Sequence, residues 1–271
     1  MSAQAEKAER FLALHHGPGP LLLPNPWDAG SARLLESLGF QALATTSSGF
    51  AATLGRLDGS LRREEALAHA AAMAAATDLP VSADLESCFA ADPAGVAETI
   101  RLALGSGLAG ASIEDFTGDD RDPIYDRGLA AERAGAAAEV AHGGPVHLVL
   151  TGRAENHLHD RPDLADTIAR LQSYQEAGAD VLYAPGLTLL DDIRRVVTSL
   201  DRPVNVLARP GGPTVAELAS VGVARVSVGG AFAFAALGAL VEAARELRRG
   251  DLTFWERAGL GASAARAAFS A

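Results

Sequence analysis

Eight short apolar runs, each followed by a longer segment of helical period, restrict this chain more than any other feature. The runs fall at 21–24, 42–45, 81–84, 110–113, 146–150, 181–183, 203–207 and 225–228. Between them lie Ala/Leu/Arg/Glu segments at 29–38, 62–76, 93–104, 129–142, 163–177, 189–200 and 214–219. Continuous rather than alternating apolarity is the pattern of parallel strands buried on both faces, and each crossover between such strands needs a helix. Eight repeats predict a sheet closed on itself, a (β/α)8 TIM barrel occupying 1–271 as one domain. An open doubly wound sheet would carry a glycine-rich turn after its first strand, and Pro24-Asn25-Pro26-Trp27-Asp28 is not one. Gly39, Gly178 and Gly222 follow helical segments and are expected as left-handed caps. A long helix at 231–249 and an amphipathic one at 252–269 come after the eighth run. The extension from 250 to 271 has few partners left on a closed barrel, so it is expected to contact another subunit.

Composition narrows the partners. The chain has 271 residues, 48% of them hydrophobic, with a formal net charge of −11 and a single cysteine. An acidic protein without a Lys/Arg stripe repels phosphate backbones, so nucleic acid is not expected as a partner. One cysteine forms no internal disulfide, and residues 1–20 lack the basic and apolar regions of a secretory leader, so the expected compartment is the cytoplasm. Apolar runs of five or six residues are far short of the roughly 20 needed to cross a bilayer, and no membrane association is expected.

In a closed βα barrel the chemistry sits where strands end at the carboxyl face. Here that face is acidic. The third run ends in Asp84-Leu85-Glu86, the fourth in Ile113-Glu114-Asp115, and Asp58 lies in the loop after the second. Carboxylates converging on one low-dielectric rim do not all stay ionised without a cation. Oxygen-only ligands favour a hard ion: Mg2+ is expected, with Mn2+ as a substitute. Asp92 and Asp163 are read instead as helix caps. Arg153 and Glu155, two residues apart after the fifth run, offer a guanidinium to a substrate carboxylate or oxyanion; a plain Arg153/Glu155 ion pair is the alternative. Thr45 to Gly49 supply hydroxyls and amides for a second carboxylate, or form an ordinary turn. His157 and His159 lack a third zinc ligand and are read as exposed loop residues, and Cys88 as a buried thiol. The Asp/Gly-rich stretch 116–128 reads as a mobile lid.

Several of these segments together resemble the isocitrate lyase and phosphoenolpyruvate mutase family over nearly the whole chain. They are Pro24-Asn25-Pro26-Trp27-Asp28-Ala29-Gly30-Ser31-Ala32, Leu54-Gly55-Arg56-Leu57-Asp58, Asp84-Leu85-Glu86, Ser112-Ile113-Glu114-Asp115, Gly152-Arg153-Ala154-Glu155, Gly178-Ala179-Asp180 and Val226-Ser227-Val228-Gly229-Gly230. The resemblance implies a barrel that exchanges its C-terminal helix with a neighbour and assembles as a dimer of dimers. It implies Asp84 as the direct magnesium ligand, with Asp58, Glu86 and Glu114 holding the water shell. Arg153 would contact the substrate carboxylate and enolate oxygen, and Thr46, Ser47 and Ser48 would grip the carboxylate. Trp27, Glu155 and Asn205 complete the substrate-side candidates; Asn205 is offset from the family's polar residue on that strand and stands on position alone. The family's lyases carry a Lys-Lys-x-Cys-Gly-His segment in the lid, which 116–128 lacks. Tyr125 and Asp126 are the nearest proton-transfer groups there, and Tyr125, Arg153 and Asp58 are the catalytic candidates. The family's lyase glutamate after the sixth strand is replaced near Ala184-Pro185-Gly186, and the 84–90 loop lacks two customary glycines, which predicts a stiffer loop.

The expected activity is Mg2+-dependent cleavage of a carbon–carbon or carbon–phosphorus bond in a small 2-oxo or 2-hydroxy acid, through an enolate that the metal and Arg153 stabilise. The alternatives are a non-catalytic 2-oxo-acid-binding protein, an oxaloacetate decarboxylase-like or phosphonopyruvate hydrolase-like activity, and a sugar-phosphate barrel relying on Gly229-Gly230.

Overall fold

A computed structural model describes residues 2–270; Met1 and Ala271, the ends of the expected 1–271 domain, lie outside the described residues. Eight parallel strands form one sheet: β1 (Leu21–Leu23), β2 (Leu43–Ala44), β3 (Val81–Asp84), β4 (Gly110–Glu114), β5 (Val149–Arg153), β6 (Val181–Tyr183), β7 (Val204–Leu207) and β8 (Arg225–Ser227). The spatial order is β1-β8-β7-β6-β5-β4-β3-β2. The seam between the two ends is bridged by the Ala44 amide, which donates to Pro24 O at 3.1 Å, and by Asn25 Nδ2, which donates to Thr45 O at 3.0 Å. The helices are α1 (Ala3–Leu14), α2 (Ala29–Ser37), α3 (Ser47–Thr53), α4 (Arg63–Ala76), α5 (Pro93–Leu104), α6 (Arg127–His142), α7 (Leu164–Glu176), α8 (Leu190–Thr198), α9 (Val215–Ser220), α10 (Ala231–Arg248) and α11 (Phe254–Phe269). The expected (β/α)8 barrel is the observed fold.

Local chemistry starts and stops the helices as expected. Asp28, Asp92 and Asp163 each accept a backbone amide of the first turn, at 2.7, 3.0 and 2.9 Å, so the two acids read as caps are caps. Gly39, Gly178 and Gly222 have φ of +86°, +108° and +85°.

Two helices were not expected. The first, α1, plugs the amino end of the barrel: Phe11 is fully buried with Leu21, Leu23, Val149 and Val181. Gly110 makes this possible, since a Cβ there would lie 2.8 Å from both the Phe11 ring and Val149 O. The second, α3, takes its N-cap from Thr46. A third difference concerns β5, which runs 149–153 rather than 146–150. The Leu148 amide donates to Ala141 O, outside the sheet, so the ladder begins one residue later and carries Thr151, Gly152 and Arg153 on the strand itself.

The 116–128 loop is more ordered than its composition implies. Phe116 and Ile124 form an antiparallel bridge, the Thr117 amide donates to Pro123 O at 2.8 Å, and Asp126 caps α6. Its Phe116 ring stacks on His159 at 4.0 Å. His159, expected to be exposed, is therefore half-buried against that loop, and His157, expected likewise, is half-buried against Gly186. At the other end of the chain α11 lies along α2 of the same chain, with the Phe269 ring beside Gly30. Phe234, Leu240, Trp255 and Leu260 remain exposed on the last two helices. Among the described residues no helix is long and apolar enough to cross a membrane.

Candidate active site at the carboxyl face of the barrel

Parallel register brings the ends of β3, β4 and β5 side by side: Asp84 pairs with Ser112, and Glu114 with Arg153. Arg153 is the hub. Its Nη1 donates to Asp84 Oδ1 at 2.9 Å, its Nη2 lies 3.1 Å from Glu114 Oε2, and its Nε donates to Glu155 Oε1 at 2.9 Å. The simple Arg153/Glu155 pair is thus part of a larger cluster. Three carboxylates face one guanidinium, and all four side chains are largely withdrawn from solvent.

Two further acids border the cluster. Asp58 is exposed and accepts from Ser47 Oγ at 2.9 Å. Glu86 follows β3 with φ of +50°, and its Oε1 is buried without a hydrogen-bond partner. Burial, then the charges of Asp84 and Asp58, push the Glu86 carboxyl up to about 8. Burial also raises Glu114 well above the usual carboxylate range, against the attraction of Arg153, and raises Glu155. An orphaned carboxylate oxygen and a surplus of desolvated acids form an oxygen-only donor set that fits a hard divalent cation.

The loop that positions Glu86 is strained. Glu86, Cys88 and Phe89 all adopt left-handed backbone, at +50°, +58° and +55°. Buried Arg133 holds them there, donating to Ser87 O at 2.6 Å, Ala90 O at 3.1 Å and Glu114 O at 3.1 Å. The loop without its glycines keeps a glycine-like path because a cation pins its carbonyls. Cys88 is buried, and burial pushes its thiol up to about 12, so it is not a nucleophile at neutral pH.

A cavity of about 200 Å³ opens beside this cluster, lined by Asp58, Asp84, Arg153, Asn205 and the turn from Thr45 to Ser48. The turn is tied to the acids: Thr45 Oγ1 accepts from the Asp84 amide at 2.9 Å, and the Ser47 amide donates to Asp84 Oδ2 at 3.1 Å. Thr46 and Ser48 hydroxyls lie 3.1 Å apart. Gly230 packs against this turn, where a Cβ would fall 2.5 Å from Ser48 Oγ.

Not every expected residue reaches this cavity. Glu86, Glu114 and Glu155 stand behind its wall, and Trp27 contributes its carbonyl to His69 Nε2 at 3.0 Å instead. The Tyr125 ring lies under the Arg133 guanidinium, 4.1 Å from ring centroid to Cζ, and is not on the cavity wall. Two cavity residues had no sequence signal. Tyr183, the last residue of β6, lies beneath Arg153, and burial pushes its phenol up to about 12. Arg225, the first residue of β8, is buried with only neutral partners: Asn205 Oδ1 at 2.9 Å, Thr151 Oγ1 at 3.2 Å and His15 Nε2 at 3.2 Å. Burial brings its guanidinium down to about 10. Because Arg225 donates to it and its Nδ1 faces Phe11 O, His15 is held as the neutral tautomer; burial and Arg225 lower it to about 3.

A second group of ligand-type side chains, His142, His147 and Asp180, has its ligand atoms within 4.8 Å of one another. It is compatible with metal-assisted chemistry, but it lies at the amino ends of β5 and β6, away from the cavity.

The guanidinium and clustered carboxylates stand at the carboxyl face, where (β/α)8-barrel enzymes carry their chemistry, and comparison with known proteins makes the chain an enzyme of the lyase and mutase superfamily. The chain belongs to the phosphoenolpyruvate phosphomutase family, which matches residues 11–248, within the superfamily that includes isocitrate lyase. It is 53% identical to a candidate lyase/mutase of Burkholderia cenocepacia, covering 94% of this chain and 92% of that one with a TM-score of 0.91. An uncharacterised protein of Mycobacterium tuberculosis is 33% identical over 89% of this chain and 90% of its own length. An oxaloacetate acetylhydrolase solved with its product oxalate is 25% identical, with a TM-score of 0.83 over 96% of both chains.

Proposed function

We propose that this protein is a magnesium-dependent lyase that cleaves a carbon–carbon bond of a small 2-oxo acid and leaves an enolate. The observation that carries the reading is the Arg153 cluster: one guanidinium shared by Asp84, Glu114 and Glu155, beside the unpartnered Glu86 Oε1. Asp84, Glu86, Glu114 and Asp58 would hold Mg2+, for which Mn2+ could substitute. When bound, the ion supplies Lewis-acid polarisation and charge neutralisation at the substrate oxygens.

The remaining work falls to the chain's own side chains. Arginine has five N–H groups; two of those on Arg153 donate to Asp84 and Glu155 while Nη2 is ion-paired with Glu114, so the guanidinium keeps N–H groups to stabilise the oxyanion that develops as the bond breaks. Charge that appears only in the transition state is stabilised there more than in the ground state, which raises kcat. Thr46, Ser47 and Ser48, with Asn205 at the floor, hold the substrate carboxylate. Buried Arg225 adds positive charge with no carboxylate to offset it among its hydrogen-bond partners, so the cavity favours an anion. Tyr183, on the cavity wall, keeps its proton at neutral pH and would supply it to the reacting carbon. A cavity of about 200 Å³ suits an acid of a few carbons. The oxaloacetate acetylhydrolase neighbour, with its product oxalate, supports a dicarboxylate substrate.

Proton NMR of the protein with Mg2+ and a panel of 2-oxo and 2-hydroxy di- and tricarboxylates tests the reading. New cleavage products are expected. Tight oxalate binding with no turnover of any acid would replace it with a non-catalytic 2-oxo-acid-binding protein. The exposed apolar residues of α10 and α11 support assembly through those helices, and a dimer of dimers is the state expected from light scattering.

A further inference from the structure

The geometry points to a second metal site, for a zinc-class transition ion, at the amino end of the barrel, held by His142 Nε2, His147 Nε2 and a carboxylate oxygen of Asp180. The three residues come from separate places in the chain: the last residue of α6, the connection before β5 and the residue before β6. The two imidazoles are stacked, with centroids 4.0 Å apart and planes within 6°. That stacking aims both Nε2 atoms at one carboxylate, His142 at Oδ2 and His147 at Oδ1, each at 3.0 Å.

Two imidazoles with one carboxylate are a donor set for zinc, nickel or copper rather than for magnesium, which takes oxygen ligands. Tetrahedral zinc with bonds of about 2.0–2.1 Å places neighbouring ligand atoms roughly 3.4 Å apart. The three ligand atoms already lie within 4.8 Å, so small side-chain rotations close the site. Asp180 is also oriented from behind. Its Oδ2 accepts the Leu150 amide at 2.8 Å, the supporting contact that fixes a metal-binding carboxylate in place. His147 is 45% exposed at its side chain, which leaves a fourth position open to water.

The proton balance is simple. A carboxylate only accepts, so each Nε2 carries its ring proton in the metal-free protein. On binding, that proton moves through solvent to Nδ1 of the same ring, and the Nε2 lone pair turns to the ion. The arrangement ties the end of α6 to the starts of β5 and β6. Six residues of extended chain, about 20 Å, separate His147 from Arg153, so the ion acts on stability and not on turnover.

The test is calorimetric titration of the intact protein with Zn2+ in millimolar Mg2+, for wild type, His147→Ala, His142→Ala and Asp84→Ala. One zinc per chain is expected in wild type and in Asp84→Ala, with affinity about a hundredfold weaker in either histidine variant. Circular dichroism confirms folding, and exposed His147 makes that variant the safer of the two. Wild-type-like zinc binding in both histidine variants, or none in wild type, overturns the proposal. So does zinc density away from Asp180 in anomalous diffraction.

Discussion

Arg153 donates from Nη1 to Asp84 Oδ1 across 2.9 Å, although the two residues are 69 positions apart and sit on strands separated by β4. Parallel register alone brings them together, because both end their strands at the same face. With Glu114 and Glu155 the pair becomes a four-member cluster carrying more negative than positive charge, and the guanidinium is what keeps those acids tolerable in the absence of an ion.

Arg153→Met therefore costs more than a contact. Leaving three buried carboxylates without their cation is expected to lower stability by about 3–5 kcal/mol in chelator. Saturating Mg2+ should recover part of that loss, read as the thermal midpoint with and without the ion. Arg153→Lys keeps the charge but not the forked geometry, and a fall in kcat of about a hundredfold or more is expected.

Glu86 predicts an inverted pH dependence. Its ordinary carboxyl value is 4.5, and burial with the charges of Asp84 and Asp58 raises it to about 8 in the folded chain. Between those values the unfolded chain has released the proton and the folded chain still holds it. Stability of the metal-free protein should therefore fall as pH rises from about 4.5 to about 8. Glu86→Gln should flatten that slope and raise the midpoint at pH 8 by about 2–4 °C for each 1 kcal/mol recovered, as measured by thermal denaturation in chelator.

Arg225 should act on binding rather than on chemistry. Arg225→Met removes a buried charge whose hydrogen-bond partners are all neutral and which Arg153 repels, so the fold should tolerate it. The predicted result is weaker oxalate binding and a higher KM, each by about tenfold, with kcat changed far less. Equal losses in kcat and kcat/KM would instead place Arg225 in the chemical step.

The two tyrosines should separate cleanly. Tyr183→Phe, on the cavity wall, is expected to reduce kcat by about a hundredfold, whereas Tyr125→Phe, whose ring lies under Arg133, should leave turnover within about twofold. Steady-state kinetics of the pair decides between them.

Much of this was legible from residue order. The strands were visible because parallel strands buried on both faces must be apolar throughout, and Asp84, Glu114 and Arg153 stood out as charges ending such runs. Helix caps were equally plain, since Asp92 and Asp163 precede segments of helical period. The rest depends on three-dimensional proximity. Arg225 and Tyr183 lie within apolar runs and carry no local sign that they face one cavity. The β5 boundary moved because Leu148 bonds to Ala141 rather than to the sheet. His142 and His147 gain meaning only beside Asp180, 38 and 33 residues away. Left-handed Glu86 could not be foreseen without Arg133, which holds the loop from another element.

The proposed chemistry depends on a divalent cation housed by the acids at the barrel mouth. Titrating Mg2+ into the oxalate-bound protein, for wild type, Asp84→Ala and His147→Ala, tests it most directly. One ion per chain is expected in wild type and in His147→Ala, with affinity at least about a hundredfold weaker in Asp84→Ala. Saturable Mg2+ binding of equal strength in all three proteins, or none in wild type, would contradict it.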